Sequence, residues 1–98
     1  MLYAVLFQDN DEKAEMRTRH MAEHLAFLER NSGQIRAAGP LTDTQDSAPA
    51  GGLWLVEAPD VQDVRRLIEA DPFWPTGLRK SVRVLSWTQV FADRKRQI

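Results

Sequence analysis

Residues 53–72 read LWLVEAPDVQDVRRLIEADP, and the change of period inside them decides the fold. Leu53-Trp54-Leu55-Val56 is apolar at successive positions, as in a strand buried on both faces. Ala58-Pro59 ends it, and Asp60 can cap a helix from Val61 to about Ala70, with Asp63 in its first turn. Val61, Val64, Leu67 and Ile68 then recur at helical spacing and give that helix one apolar face. Asp71-Pro72 stops it, because a residue before proline is pushed out of the helical region.

The same alternation of strand and helix precedes this unit. Leu2-Tyr3-Ala4-Val5-Leu6-Phe7 is a second continuous apolar run, broken by the turn-forming Gln8-Asp9-Asn10-Asp11. From about Glu12 to Asn31 nothing breaks a helix; Met21, Leu25 and Leu28 mark its core stripe and Gly33 its end. Gln34 to Leu41 contains Ile35 and predicts a short strand ending at Gly39-Pro40; Thr42 to Gly51 reads as a loop. Beyond Pro72, Phe73 to Lys80 reads as a loop and Ser81 to Phe91 as a last strand. The order is β-α-β-β-α-β, the split pattern of an antiparallel α+β ferredoxin-like fold. Residues 1–92 form the predicted domain, and 93–98 a charged, frayed tail.

Two helices cover only one face of such a sheet. The first and third strands are apolar at every position, so their second face also demands cover. The expected cover is the same face of another copy: a homodimer closed by a two-fold axis, a dimeric α+β barrel-type assembly.

Composition narrows the function. The chain has 98 residues with 13 Lys+Arg against 14 Asp+Glu, a net charge of -1 that offers no field for a nucleic-acid backbone. It has no cysteine, which removes disulfides and thiolate metal sites. Its apolar runs are too short to span a bilayer, and the first residues lack the features of a signal peptide. A cytoplasmic protein with a small-molecule ligand, no nucleic-acid partner and no membrane is the expectation.

The residues with chemistry are few. Arg17, His20 and His24 fall on one side of the first helix at four- and three-residue spacings, beside its apolar stripe. By spacing alone this is as readily an ordinary polar helix edge. A zinc site on the His20/His24 pair lacks a third ligand, and Glu23 is one position off the metalloprotease arrangement, so no metal is expected. Asp71, fixed beside Pro72, could either just end its helix or orient a histidine as a general base. Gly39 and Pro40 could lie at a pocket mouth or simply form a turn. Trp54, Phe73, Trp74 and Trp87 are candidate pocket walls or core. Arg79, Lys80 and Arg83 read as a solvated basic cluster.

Taken together, His24-Leu25-Ala26-Phe27-Leu28, Ile35-Arg36-Ala37-Ala38-Gly39-Pro40-Leu41, Gly52-Leu53-Trp54-Leu55-Val56-Glu57-Ala58, Asp71-Pro72-Phe73 and Arg83-Val84-Leu85-Ser86-Trp87 resemble the YciI-like (YCII-related) family from Leu2 to about Phe91. The resemblance implies a ferredoxin-like fold that dimerises through its sheets. It maps the family's His and Asp onto His24 and Asp71, as the catalytic pair of a cofactor-free enzyme. In the enzyme reading, Arg17, Gly39, Pro40 and Phe73 are the candidate substrate contacts, with Arg17 or a backbone amide steadying developing negative charge. The reaction that the resemblance implies is lyase-type, of the kind that dehydrochlorinates a chlorinated hydroxyhydroquinone. An apolar residue is commoner at the place of His20, which puts any role for that histidine in question. Two other readings stay open: a non-catalytic ligand-binding or regulatory dimer using the same pocket, and a haem-binding relative with His24 as axial ligand.

Overall fold

The computed structural model describes residues 1–98. Strands β1 (Leu2–Asp9), β2 (Ile35–Thr42), β3 (Pro49–Glu57) and β4 (Arg79–Ser86) form one sheet in the order β2-β3-β1-β4. Every neighbouring pair is antiparallel. Helices α1 (Glu15–Arg19) and α2 (Met21–Arg30) lie between β1 and β2, and α3 (Val61–Ala70) lies between β3 and β4. This is the α+β ferredoxin-like order that the apolar runs predict.

The core lies between the helices and one face of the sheet. Tyr3, Val5 and Phe7 of β1 alternate inward, Trp54 and Val56 of β3 join them, and Phe27, Val64, Leu67 and Ile68 meet them from the helices. Alternation along a strand sends the intervening residues the other way. Leu2, Ala4, Leu6, Leu53 and Leu55 are only half-buried, and Leu85 is exposed. The two continuous apolar runs are therefore sealed on one face within the chain, not on both.

Several boundaries differ from the sequence reading. The first helix is not continuous: a 3-10 turn at Asp11–Lys13 leads into α1, and at His20 the backbone leaves helical geometry (φ -110, ψ 13) before α2 begins. The break shifts the stripe. His24 and Phe27 face the sheet, Leu28 sits at its edge, and Leu25 is 49% exposed. Strand β2 runs through Gly39-Pro40 instead of ending there, with Pro40 opposite Gly52. β2 is an edge strand, where a residue without an N–H is tolerated. β3 starts at Pro49, earlier than Leu53. It passes through Gly51 at φ +92, where any side chain would run into the Phe7 carbonyl. β4 ends at Ser86, and the last residues form a small hairpin, β5 (Phe91–Ala92) with β6 (Lys95–Arg96). Its turn places Asp93 and Arg94 at positive φ, as tight hairpin turns require.

α3 ends as its sequence dictates. Asp60 Oδ1 accepts from Asp63 N at 2.9 Å, and Asp71 is extended (φ -65, ψ 132) ahead of Pro72. That extension turns the chain back over the sheet and aims Asp71 and Phe73 at α2.

Candidate active site

His24 and Asp71 meet in the protein interior. His24 Nδ1–H donates to Asp71 Oδ1 at 2.8 Å, across 47 residues of chain. The two residues are 7% and 2% exposed. A carboxylate offers only acceptors here, so the proton sits on Nδ1 and Nε2 keeps its lone pair. His24 Nε2 makes no hydrogen bond within the chain and is not among its sealed, unpartnered atoms. The same Asp71 Oδ1 accepts from Phe73 N at 3.1 Å, closing a turn around Pro72. Phe73 in turn stacks on the imidazole, with centroids 4.1 Å apart and planes 15° from parallel. One carboxylate oxygen thus fixes both the tautomer of His24 and the ring that holds its plane. Trp54 lies behind, 6.5 Å from the imidazole centroid.

The imidazole opens on a cavity of about 120 Å³ between α2 and the sheet. Met21, Leu25 and Leu28 form its helix wall, and Ala38, Pro40, Gly52 and Trp54 its sheet floor. Cavities of roughly 150 Å³ hold a benzene-sized ring, so the space suits one small ring. Met21, Leu25 and Leu28, the stripe expected to meet the core, surround the opening instead.

A charge cluster closes one end. Arg17 Nη2 donates to Asp9 Oδ2, and Arg79 Nη1 donates to Asp9 Oδ1 at 2.9 Å. Both arginines line the cavity. The Arg79 side chain is 6% exposed, and its guanidinium lies over the Phe7 ring at 4.1 Å and 5.3 Å from that of Phe73. Burial pushes the Arg79 pKa down, and the Asp71 carboxylate pulls it back up. Burial also lowers that of Arg17, and the neighbouring charge of Arg79 adds to the effect. Both stay cationic at neutral pH, because a guanidinium is not deprotonated in a protein.

The structure brings together the catalytic and substrate-contact candidates: His24, Arg17, Gly39, Pro40 and Phe73 line the cavity, and Asp71 stands behind His24. His20 does not line it; its Nδ1 lies 3.6 Å from the exposed Glu23. Trp74 and Trp87 are 37% and 43% exposed and lie elsewhere. No three His, Cys, Asp or Glu side chains gather closely enough to hold an ion. Sequence reasoning missed Asp9 and Arg79. Asp9 looked like turn chemistry, and Arg79 like one member of a solvated cluster, of which only Lys80 and Arg83 are exposed.

Comparison with known proteins agrees with this fold. A family model described as the YCII-related domain matches residues 1–88. No curated protein matches the chain. Among solved structures, the chain is similar to 5-chloro-2-hydroxyhydroquinone dehydrochlorinase (TftG) from Burkholderia phenoliruptrix AC1100, in complex with 2,5-dihydroxybenzoquinone. The identity is 30% and the TM-score 0.76, over 90% of this chain and 94% of that one.

Proposed function

This chain belongs to the YCII-related domain family, and on that footing we propose that it is a cofactor-free enzyme using His24 and Asp71 for acid–base chemistry on a small cyclic substrate. The observation that carries the reading is the buried 2.8 Å hydrogen bond that leaves Nε2 bare beside the cavity. A histidine held this way is a general base with one free lone pair. The dehydrochlorinase to which the chain is similar acts, by its name, on a ring carrying hydroxyls and a leaving group. The ring-sized cavity fits that class.

In the proposed reaction the ring is held as a keto tautomer, in which the carbon bearing the leaving group is saturated; Nε2 takes a proton from a ring hydroxyl conjugated to that carbon or from the carbon next to it. The electron pair left behind forms a new ring double bond to that carbon, and the leaving group departs with the electrons of its own bond. The imidazolium, stabilised by Asp71, then returns the proton to water, so the net loss is that of an acid. Arg17 lies at the same cavity and steadies the negative charge that develops on the ring oxygen. A panel of quinols and hydroxyquinones bearing leaving groups tests this. Turnover should fall by about 10²–10⁴ in His24→Ala and comparably in Asp71→Asn, which keeps the shape but loses the carboxylate's charge and second acceptor. Turnover that survives His24→Ala would leave the chemistry without its base, and a ligand-binding role would then be the better reading.

The working unit in this proposal is a homodimer. Leu6, Leu53 and Leu55 are half-buried and Leu85 is exposed on the helix-free face of the sheet, where nothing in the chain covers them. The same face of a second copy is an apolar cover of matching shape. No helix is long and apolar enough to cross a membrane, which leaves that face to a protein partner in this reading.

A further inference from the structure

Arg79 is a cation held almost out of water with more donors than the chain gives it acceptors. Its side chain is 6% exposed. Nη1 donates to Asp9, while Nε is buried with no partner. A buried donor left unmatched costs about 1–3 kcal/mol, more on a charged group. Such a group is retained where something else completes it.

The geometry limits where that acceptor can come from. All guanidinium N–H bonds lie in its plane, and that plane sits over the Phe7 ring at 4.1 Å. The faces are therefore occupied and only the edges can donate. Nη1 is taken by Asp9 and Nε is sealed, so Nη2, which has no partner within the chain and is not sealed, is the donor left for the cavity that Arg79 lines and His24 faces. Arg17, on the same cavity, shares the same Asp9. Asp9 is the one carboxylate bonded to either arginine, so two guanidinium forks share a single partner. The other nearby carboxylate, Asp71, makes no hydrogen bond to either arginine; its Oδ1 accepts from His24 and Phe73.

We infer that Arg79, with Arg17, forms a subsite for a negatively charged oxygen carried on the substrate's ring, so that the preferred substrate binds as a ring oxyanion such as an ionised hydroxyquinone or an acidic enol. The inference rests on the cavity being the substrate site, and it names the substrate class. A ring-borne oxygen suits an open cavity of about 120 Å³, sized for a small ring. Arg79 is then a specificity-determining residue: it selects the ionised form and sets the ring's orientation towards His24 Nε2. Asp9 positions both forks. Burial strengthens the selection, because a charge–charge contact screened from water is worth more than one in solvent.

The test compares two probes of nearly the same shape. 2,5-Dihydroxy-1,4-benzoquinone carries vinylogous acid groups that ionise at neutral pH, and its dimethyl ether cannot ionise. Titration calorimetry on the full chain should show the acid binding at least about tenfold more tightly than the ether, the equivalent of one good charged hydrogen bond. Arg79→Met should remove that preference, bringing acid and ether to similar affinities, with far-UV circular dichroism confirming the fold. Arg79→Lys, which keeps the charge but not the fork, should fall between. His24→Ala should lose turnover yet keep the preference for the acid, so a failure of the catalytic reading and a failure of this one give different results. Equal binding of acid and ether by the wild type, or a preference that survives Arg79→Met, would overturn the inference.

Discussion

The two faces of the sheet are made from the same strands, residue by residue in alternation, yet they end in different states. On the helix side Val5 and Val56 are 0% and Trp54 1% exposed. On the other side Leu53 and Leu55 are half-buried, Leu85 is 37% exposed and Trp87 43%. Only the covered face also has a third dimension to build with. The helices and the Asp71–Phe73 turn rise above it, so a polar pair and a cavity can be enclosed there. The bare face is a surface with apolar area but no walls. On the proposed reading, chemistry belongs to the side that the chain covers for itself, and association to the side that it leaves open.

Charge and truncation should break the two faces in different ways. Trp54→Ala empties the covered face at its centre and should cost about 3–5 kcal/mol of stability, read from denaturant midpoints. Leu55→Asp on the bare face should leave the circular dichroism of the fold intact and shift the mass by light scattering from dimer to monomer, because an uncompensated charge is costly to bury. A wild type that is already monomeric at micromolar concentration would contradict the dimer. Asp71→Ala should cost about 1–3 kcal/mol, since it strands the Nδ1–H of His24 and the N–H of Phe73. His20→Leu should change stability and turnover least, within about 0.5 kcal/mol, because His20 is half-exposed and does not line the cavity.

The sheet and helices were legible because each rests on a local pattern: an apolar run, a cap, a proline. Leu53–Val56 and the helix from Val61 to Ala70 are read directly from residues 53–72. The pairing of His24 with Asp71 was suggested by a family resemblance, since spacing carries no information across 47 residues. What escaped depends on register. Val82 and Val84 of β4 point inward opposite Phe7 and Val5, so an unbroken alternation would send Arg79 outward. The register shifts between Gln8 and Asp9, placing Asp9 opposite Arg79 instead, and this turns the arginine in. One irregular residue moved Arg79 from a solvated cluster into the site. The break at His20 acted similarly, exchanging Leu25 for His24 on the sheet-facing side of α2.

In the proposed mechanism Asp71 fixes the proton of His24 on Nδ1 and leaves Nε2 free as the base. Nitrogen-15 NMR of the labelled imidazole tests it most directly, because the two ring nitrogens give separate signals according to which one is protonated. At a pH where His24 is neutral, the account predicts a protonated Nδ1 and a bare Nε2, with the tautomers mixing in Asp71→Ala. A proton on Nε2 in the wild type, or a tautomer ratio indifferent to Asp71, would contradict it.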